Sequence, residues 1–162
     1  MKEFLIFLPL TILFLTIKSA LFPNLPMPDL PLIIVFYMAY SKASVEGALM
    51  GFVLGYLDDA FNGGIIGSSS FALVFIFLAV HLTSKMMQFT TPGTRAIGAG
   101  IAALVKGALT YAVLRFTNID VYFLGHVILQ AIITGVFAPA IITLLMRLTS
   151  FTSPRRFKGN IN

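Results

Sequence analysis

Six long apolar stretches, near residues 4–22, 29–41, 45–61, 69–88, 96–116 and 123–148, occupy most of this 162-residue chain, separated by short runs of proline, glycine or charge. About 20 apolar residues is the length that crosses a bilayer as a helix, where every backbone polar group must find its partner within the segment. With 58% of residues hydrophobic and 10% charged, the composition is far from the roughly half-apolar, quarter-charged balance of soluble domains. The expected fold is all-α: a polytopic membrane bundle of about six transmembrane helices over residues 1–150, followed by a basic cytoplasmic tail over 151–162. The connections are too short to form a lid or a folded module. Function is therefore expected in helix faces, short loops and the tail.

The first break, Phe22-Pro23-Asn24-Leu25-Pro26-Met27-Pro28, removes three amide donors, and Asp29 can cap the helix that follows. The second, Ser41-Lys42-Ala43-Ser44-Val45-Glu46, is weaker because no glycine or proline enforces a turn before Gly47, so one helix over 30–60 is the alternative. Loop charge separates the two readings. With six spans, Lys2, Lys42, Lys85, Arg95, Arg147, Arg155, Arg156 and Lys158, eight of the 11 basic residues, fall on one side. A fused helix would put the arginine-bearing tail outside. Both termini are therefore expected in the cytoplasm, with Asp29, Asp58, Asp59 and Asp120 toward the outer face. The first stretch imitates a secretory signal, but Lys18 occupies the minus-three place before the small-residue exit at Ala20, where a small residue is needed. It is read as a retained helix.

No cysteine is present, and His81 and His126 stand far apart, so neither a metal nor another cofactor is expected. The net charge of +5 is scattered between apolar runs and reads as topology; no nucleic-acid partner is expected. The sequence holds no paired histidines and no activated nucleophile, which argues against an enzyme.

The most specific pattern is Gly51-x-x-x-Gly55-x-x-x-Asp59-x-x-x-Gly63-x-x-x-Gly67, preceded by Glu46-Gly47. On a helix, Gly47, Gly51 and Gly55 form a groove that another backbone can approach closely, either within this subunit or on a partner. Asp58 and Asp59 point about 100° apart on a helix and cannot act as a convergent acid–base pair. Lys18, roughly 21 Å along the first helix, is within snorkelling reach of the outer surface, where pairing with Asp29 or Asp59 is expected. Lys106, about 16 Å into the fifth helix, should face the interior as a polar site or as a structural lysine bonded to carbonyls. Gly135-x-x-x-Pro139 is expected to kink the last helix. Arg155, Arg156 and Lys158 are expected to contact anionic membrane lipid.

The stretch Glu46-Gly47-Ala48-Leu49-Met50-Gly51-Phe52-Val53-Leu54-Gly55-Tyr56-Leu57-Asp58-Asp59-Ala60-Phe61-Asn62-Gly63-Gly64-Ile65-Ile66-Gly67 resembles the central signature of the rod shape-determining MreD family. Pro28-Asp29-Leu30, the span count, and Gly135-x-x-x-Pro139 followed by Leu145-Met146-Arg147 add to the resemblance. It implies a non-enzymatic protein of the bacterial inner membrane that pairs with the bitopic protein MreC. It further implies work with the MreB filament, RodA and a class B transpeptidase in lateral peptidoglycan synthesis. The family is also similar in its six-helix architecture to the substrate-binding subunits of energy-coupling-factor transporters. Small-solute binding is thus the rival function, with Lys106 and Asp59 lining a pocket. Tyr56 and the doubled Asp58-Asp59 depart from the family pattern, leaving Asp59 as the matching carboxylate and Asp58 without an assigned role.

Overall fold

The computed structural model describes residues 2–21, 27–41, 44–63, 65–86, 91–116 and 124–152. Among these are six helices and no strand: α1 (Lys2–Leu21), α2 (Leu30–Ser41), α3 (Val45–Asn62), α4 (Ser68–Ser84), α5 (Pro92–Phe116) and α6 (Leu124–Thr152). The bundle is organised around α2, which touches all five other helices. Its sequence, Leu-Pro-Leu-Ile-Ile-Val-Phe-Tyr-Met-Ala, is apolar all round, and Leu30 to Ala39 are all buried. A helix with no polar face has none to turn outward. At 12 residues it is only about 18 Å long, well short of a hydrocarbon core of about 30 Å. Enclosure by longer neighbours lets so short an element sit inside the bundle.

Two antiparallel hairpins, α3–α4 and α5–α6, and the single helix α1 surround α2. Leu32, Ile33 and Phe36 meet Met50 and Leu54 of α3, Leu73 and Ile76 of α4, and Ile142 and Leu145 of α6 in one core. An edge-on aromatic chain runs Phe7–Tyr37–Tyr40–Phe36, with ring centroids 6.2, 5.7 and 5.5 Å apart. The outside is apolar too. Phe71, Phe75, Leu78 and Leu82 recur at helical spacing along α4 and are each about half exposed, as are Ile97, Ile101 and Leu104 on α5. Apolar inside and outside is the pattern of a helix bundle immersed in hydrocarbon. Pro92–Val113 and Val127–Thr149 are long and apolar enough to cross a membrane, whereas Phe7–Ala20, Leu30–Ser41 and Ser68–Ser84 are shorter apolar helices.

Boundaries differ from expectation by up to four residues, in α4, α5 and α6. α5 begins at Pro92 rather than near 96, because Pro92 serves as the first helical residue, where its missing N–H is not needed, and Thr91 Oγ1 accepts from the Thr94 amide at 3.3 Å. α4 stops at Ser84 rather than 88, and α6 runs four residues past 148 to Thr152. α2 and α3 are separate helices, with Ser44 as the N-cap of α3, its hydroxyl accepting from Gly47 N at 3.3 Å. The period-four glycine run is not one helical face. α3 ends at Asn62, and Gly63 and Gly67 take left-handed backbone angles, φ 67° and 100°, that favour glycine on the turn into α4. Lys42, Asp120 and the tail residues Arg155, Arg156 and Lys158 lie outside the described residues.

Candidate functional site

Three ionised side chains from three segments converge inside the bundle. Lys106 Nζ, on α5, donates to Asp29 Oδ2 at 2.5 Å and to Asp58 Oδ2 at 2.7 Å. All three residues are almost fully buried, with 8%, 5% and 5% of their surface exposed. Away from water such charges survive only when paired and hydrogen-bonded. The second Asp58 oxygen accepts from the Asn62 side-chain amide at 2.6 Å, one helical turn on along α3.

Asp29 does the most joining. It is the residue before α2, and its Oδ1 accepts from the Leu32 amide at 3.1 Å, capping the helix, while its own amide donates to Thr134 Oγ1 of α6 at 3.1 Å. One aspartate thus binds the start of α2 to α5 and α6, and Lys106 carries the connection to α3. Lys106 and Thr134 are ten residues from the α5 end and the α6 start at that side, about 15 Å along each helix. The short central helix therefore begins below the tops of its neighbours.

Asp59 serves a different purpose. Its carboxylate accepts from Gly67 N at 2.8 Å, from Ser69 N at 3.1 Å and from the Ser68 hydroxyl at 3.2 Å. These are orphan donors at the N-terminus of α4, where negative charge is also favoured by the helix dipole. Asp59→Ala should cost about 2–3 kcal/mol through loss of these charge-assisted bonds. The expected result is a lower melting temperature and faster amide exchange at residues 67–70, with Asp59→Asn intermediate; unchanged exchange there would contradict the assignment.

Of the two partners expected for Lys18, Asp59 is committed to α4 and Asp29 bonds directly to Lys106; Lys18 is half-buried, makes no contact ion pair with a described residue, and acts on Asp29 as a more distant positive charge. Asp58, left without a role on sequence grounds, is the α3 carboxylate that meets Lys106.

The family model for the rod shape-determining protein MreD matches residues 2–148. The chain belongs to the MreD family. No curated protein and no solved structure matches it. The match covers all of α1 to α5, nearly all of α6, and every residue of the ion cluster. It carries a role in rod shape determination and membership of a membrane protein family.

In this MreD-family chain the glycines are packing surfaces. Gly47, Gly51 and Gly55 line the crossing of α3 with α4: Gly47 faces the Phe77 ring, Gly51 faces Leu73 and the Val35 methyl of α2, and Gly55 lies against the backbone of Ser69 and Ser70. Ser70 Oγ completes the contact by donating to the Phe52 carbonyl at 3.0 Å. A second small-residue seam, not singled out in the sequence, joins α5 to α6. Gly100 and Gly135 approach backbone to backbone, and Gly107 faces the Val127 methyls. The signal was Ala96, Gly100, Ala103 and Gly107 at helical spacing in α5. α6 continues through Pro139, whose missing N–H leaves the Gly135 carbonyl without its helical donor. His81 is half-buried on α4, with its Nδ1 enclosed and unbonded.

Proposed function

We propose that this chain is a non-enzymatic scaffold of the bacterial inner membrane. In this reading it crosses the bilayer six times with both termini in the cytoplasm. It binds MreC and helps organise lateral peptidoglycan synthesis with MreB, RodA and a class B transpeptidase. The observation that carries the reading is the use of the interior charges: Lys106 bridges Asp29 and Asp58 and the cluster ties four helices together, while Asp59 caps α4. Polar groups held this way make a rigid body that presents apolar outer faces, such as Leu49, Phe52 and Tyr56 of α3, to a partner's transmembrane segment. Short α2 fits a membrane protein because its non-helical entry at Asp29 is buried in protein rather than exposed to lipid.

The six-helix architecture is read as similar to that of the substrate-binding subunits of energy-coupling-factor transporters. Solute binding has less support, because the side chains assigned to a pocket, Lys106 and Asp59, are bonded to other groups of the chain. The test is co-purification of the full chain with MreC from membranes. A complex that survives size-exclusion chromatography is expected. Recovery of the chain without MreC but with a retained small polar molecule would overturn the scaffold reading in favour of transport.

A further inference from the structure

The buried charges do not balance. Lys106 faces two carboxylates, Asp29 and Asp58, and all three side chains are buried, which leaves the cluster one negative charge in excess. Asp59 stands apart from this count, since its carboxylate is met by the amides at the start of α4. An uncompensated charge in a low-dielectric interior is costly, and a cation within reach is drawn toward it.

α1 supplies that cation. The helix packs on α3 and α2 through a buried stripe of Phe7, Thr11 and Leu15. At 100° per residue, Lys18 falls about 20° from both Phe7 and Thr11, on the same inward side. Past Leu15 the apolar packing ends: Thr16, Ile17, Ser19 and Ala20 are exposed, whereas Lys18 is half-buried. Ser19 Oγ donates to the Phe61 carbonyl at 3.3 Å, so the last turn of α1 is level with the last turn of α3. Asp58 precedes Phe61 by three residues, about 4.5 Å lower along α3. Side chains on a helix lean toward its N-terminus, which takes Lys18 down to that level. There it acts on Asp29 as a positive charge, at longer range than a contact ion pair.

We propose that Lys18 is the second cation of the buried cluster, and that its attraction latches the outer turn of α1 onto the bundle. Lys18 and Lys106 then balance Asp29 and Asp58. The seating of this turn becomes conditional on charges carried by α3, α5 and the entry to α2, and neutralising one aspartate releases it. The inference takes immersion in a bilayer from the proposed function but not MreC binding, so the two tests fail separately.

Hydrogen exchange of the full chain in lipid nanodiscs, read at the amides of residues 16–20, tests the latch. Lys18→Met keeps the stem and the helix propensity but not the charge, and should exchange about tenfold faster there. Lys18→Arg should exchange at the parental rate. Asp58→Asn should give the same acceleration as Lys18→Met, and the two together should give no more than either alone. A cation in the last turn also favours a helix through its dipole. Lys18→Met with Ala20→Lys returns a cation to that turn on the opposite face, and should stay fast. Parental exchange in Lys18→Met, or Lys18→Arg as fast as Lys18→Met, would overturn the proposal. So would a further tenfold acceleration by Lys18→Met in the Asp58→Asn protein, or recovery through Ala20→Lys, either of which assigns Lys18 to the helix dipole alone.

Discussion

Replacing Lys106 by methionine is expected to destabilise the bundle by about 3–5 kcal/mol, because it leaves two buried carboxylates without their cation. Methionine keeps the length and apolar stem of the lysine, so loss of packing contributes little. The damage should begin at the start of α2, since Asp29 holds that end to α5 and α6 together. Heating the detergent-solubilised protein and measuring what remains in the monodisperse size-exclusion peak should show a drop in midpoint on the order of 10 °C. A second-site test separates charge from shape. Adding Asp29→Asn and Asp58→Asn to Lys106→Met removes both uncompensated charges and should recover a large part of the loss, as when a buried ion cluster is replaced as a whole. If Lys106→Met melts like the parent, the cluster is not a structural lock, and the account of what positions α2 fails with it.

Gly51→Ala and Gly55→Ala, identical changes one turn apart in the same motif, are expected to differ sharply. At Gly51 a methyl would stand 3.6 Å from Val35 Cγ1 and 3.7 Å from the Leu73 carbonyl carbon, ordinary contact distances. Removing glycine from a helix interior also favours the helix by roughly 1 kcal/mol, so this variant should be neutral or slightly more stable. At Gly55 the methyl would stand 2.7 Å from the Ser69 carbonyl carbon and closer still to Ser70 N and Cα. Backbone cannot swing aside as a side-chain tip can, so α3 and α4 must separate. The cost is about 3 kcal/mol, at the upper end for overpacking, because the same displacement pulls Asp59 from the amides of Gly67 and Ser69. Melting midpoints of the two variants side by side decide it, and a Gly55→Ala protein as stable as Gly51→Ala would show that the helices are not in this register. Substituting Gly55 by leucine tests the fold before it tests any partner surface.

Much of this was legible in the residues. Apolar runs and their breakers located the helices to within four residues, the error reached at the end of α4, at the start of α5, where Thr91 and Pro92 begin the helix, and at the end of α6. The direction of Asp59 was also legible in principle. It follows Gly51 and Gly55 at intervals of four, so it shares the face that approaches another helix, and in the structure that helix is α4, whose first amides it binds. The α5 seam at Gly100 and Gly107 carried a similar signal, diluted by other small residues around it.

By itself the sequence determined that this chain forms an apolar helical bundle, that Asp29 can cap α2, and that Lys106 must be answered from within, because local periodicity and the cost of buried charge need no knowledge of neighbours. Only the tertiary structure decided which groups answer it. Asp58 and Asp59 are adjacent in the chain but point about 100° apart. Which of them meets Lys106 depends on how α3 is rotated against α5, helices more than 40 positions apart in sequence at the contact, and on α2 starting deep enough for Asp29 to arrive at the same height. Those are relations between helices, and no spacing within one helix records them.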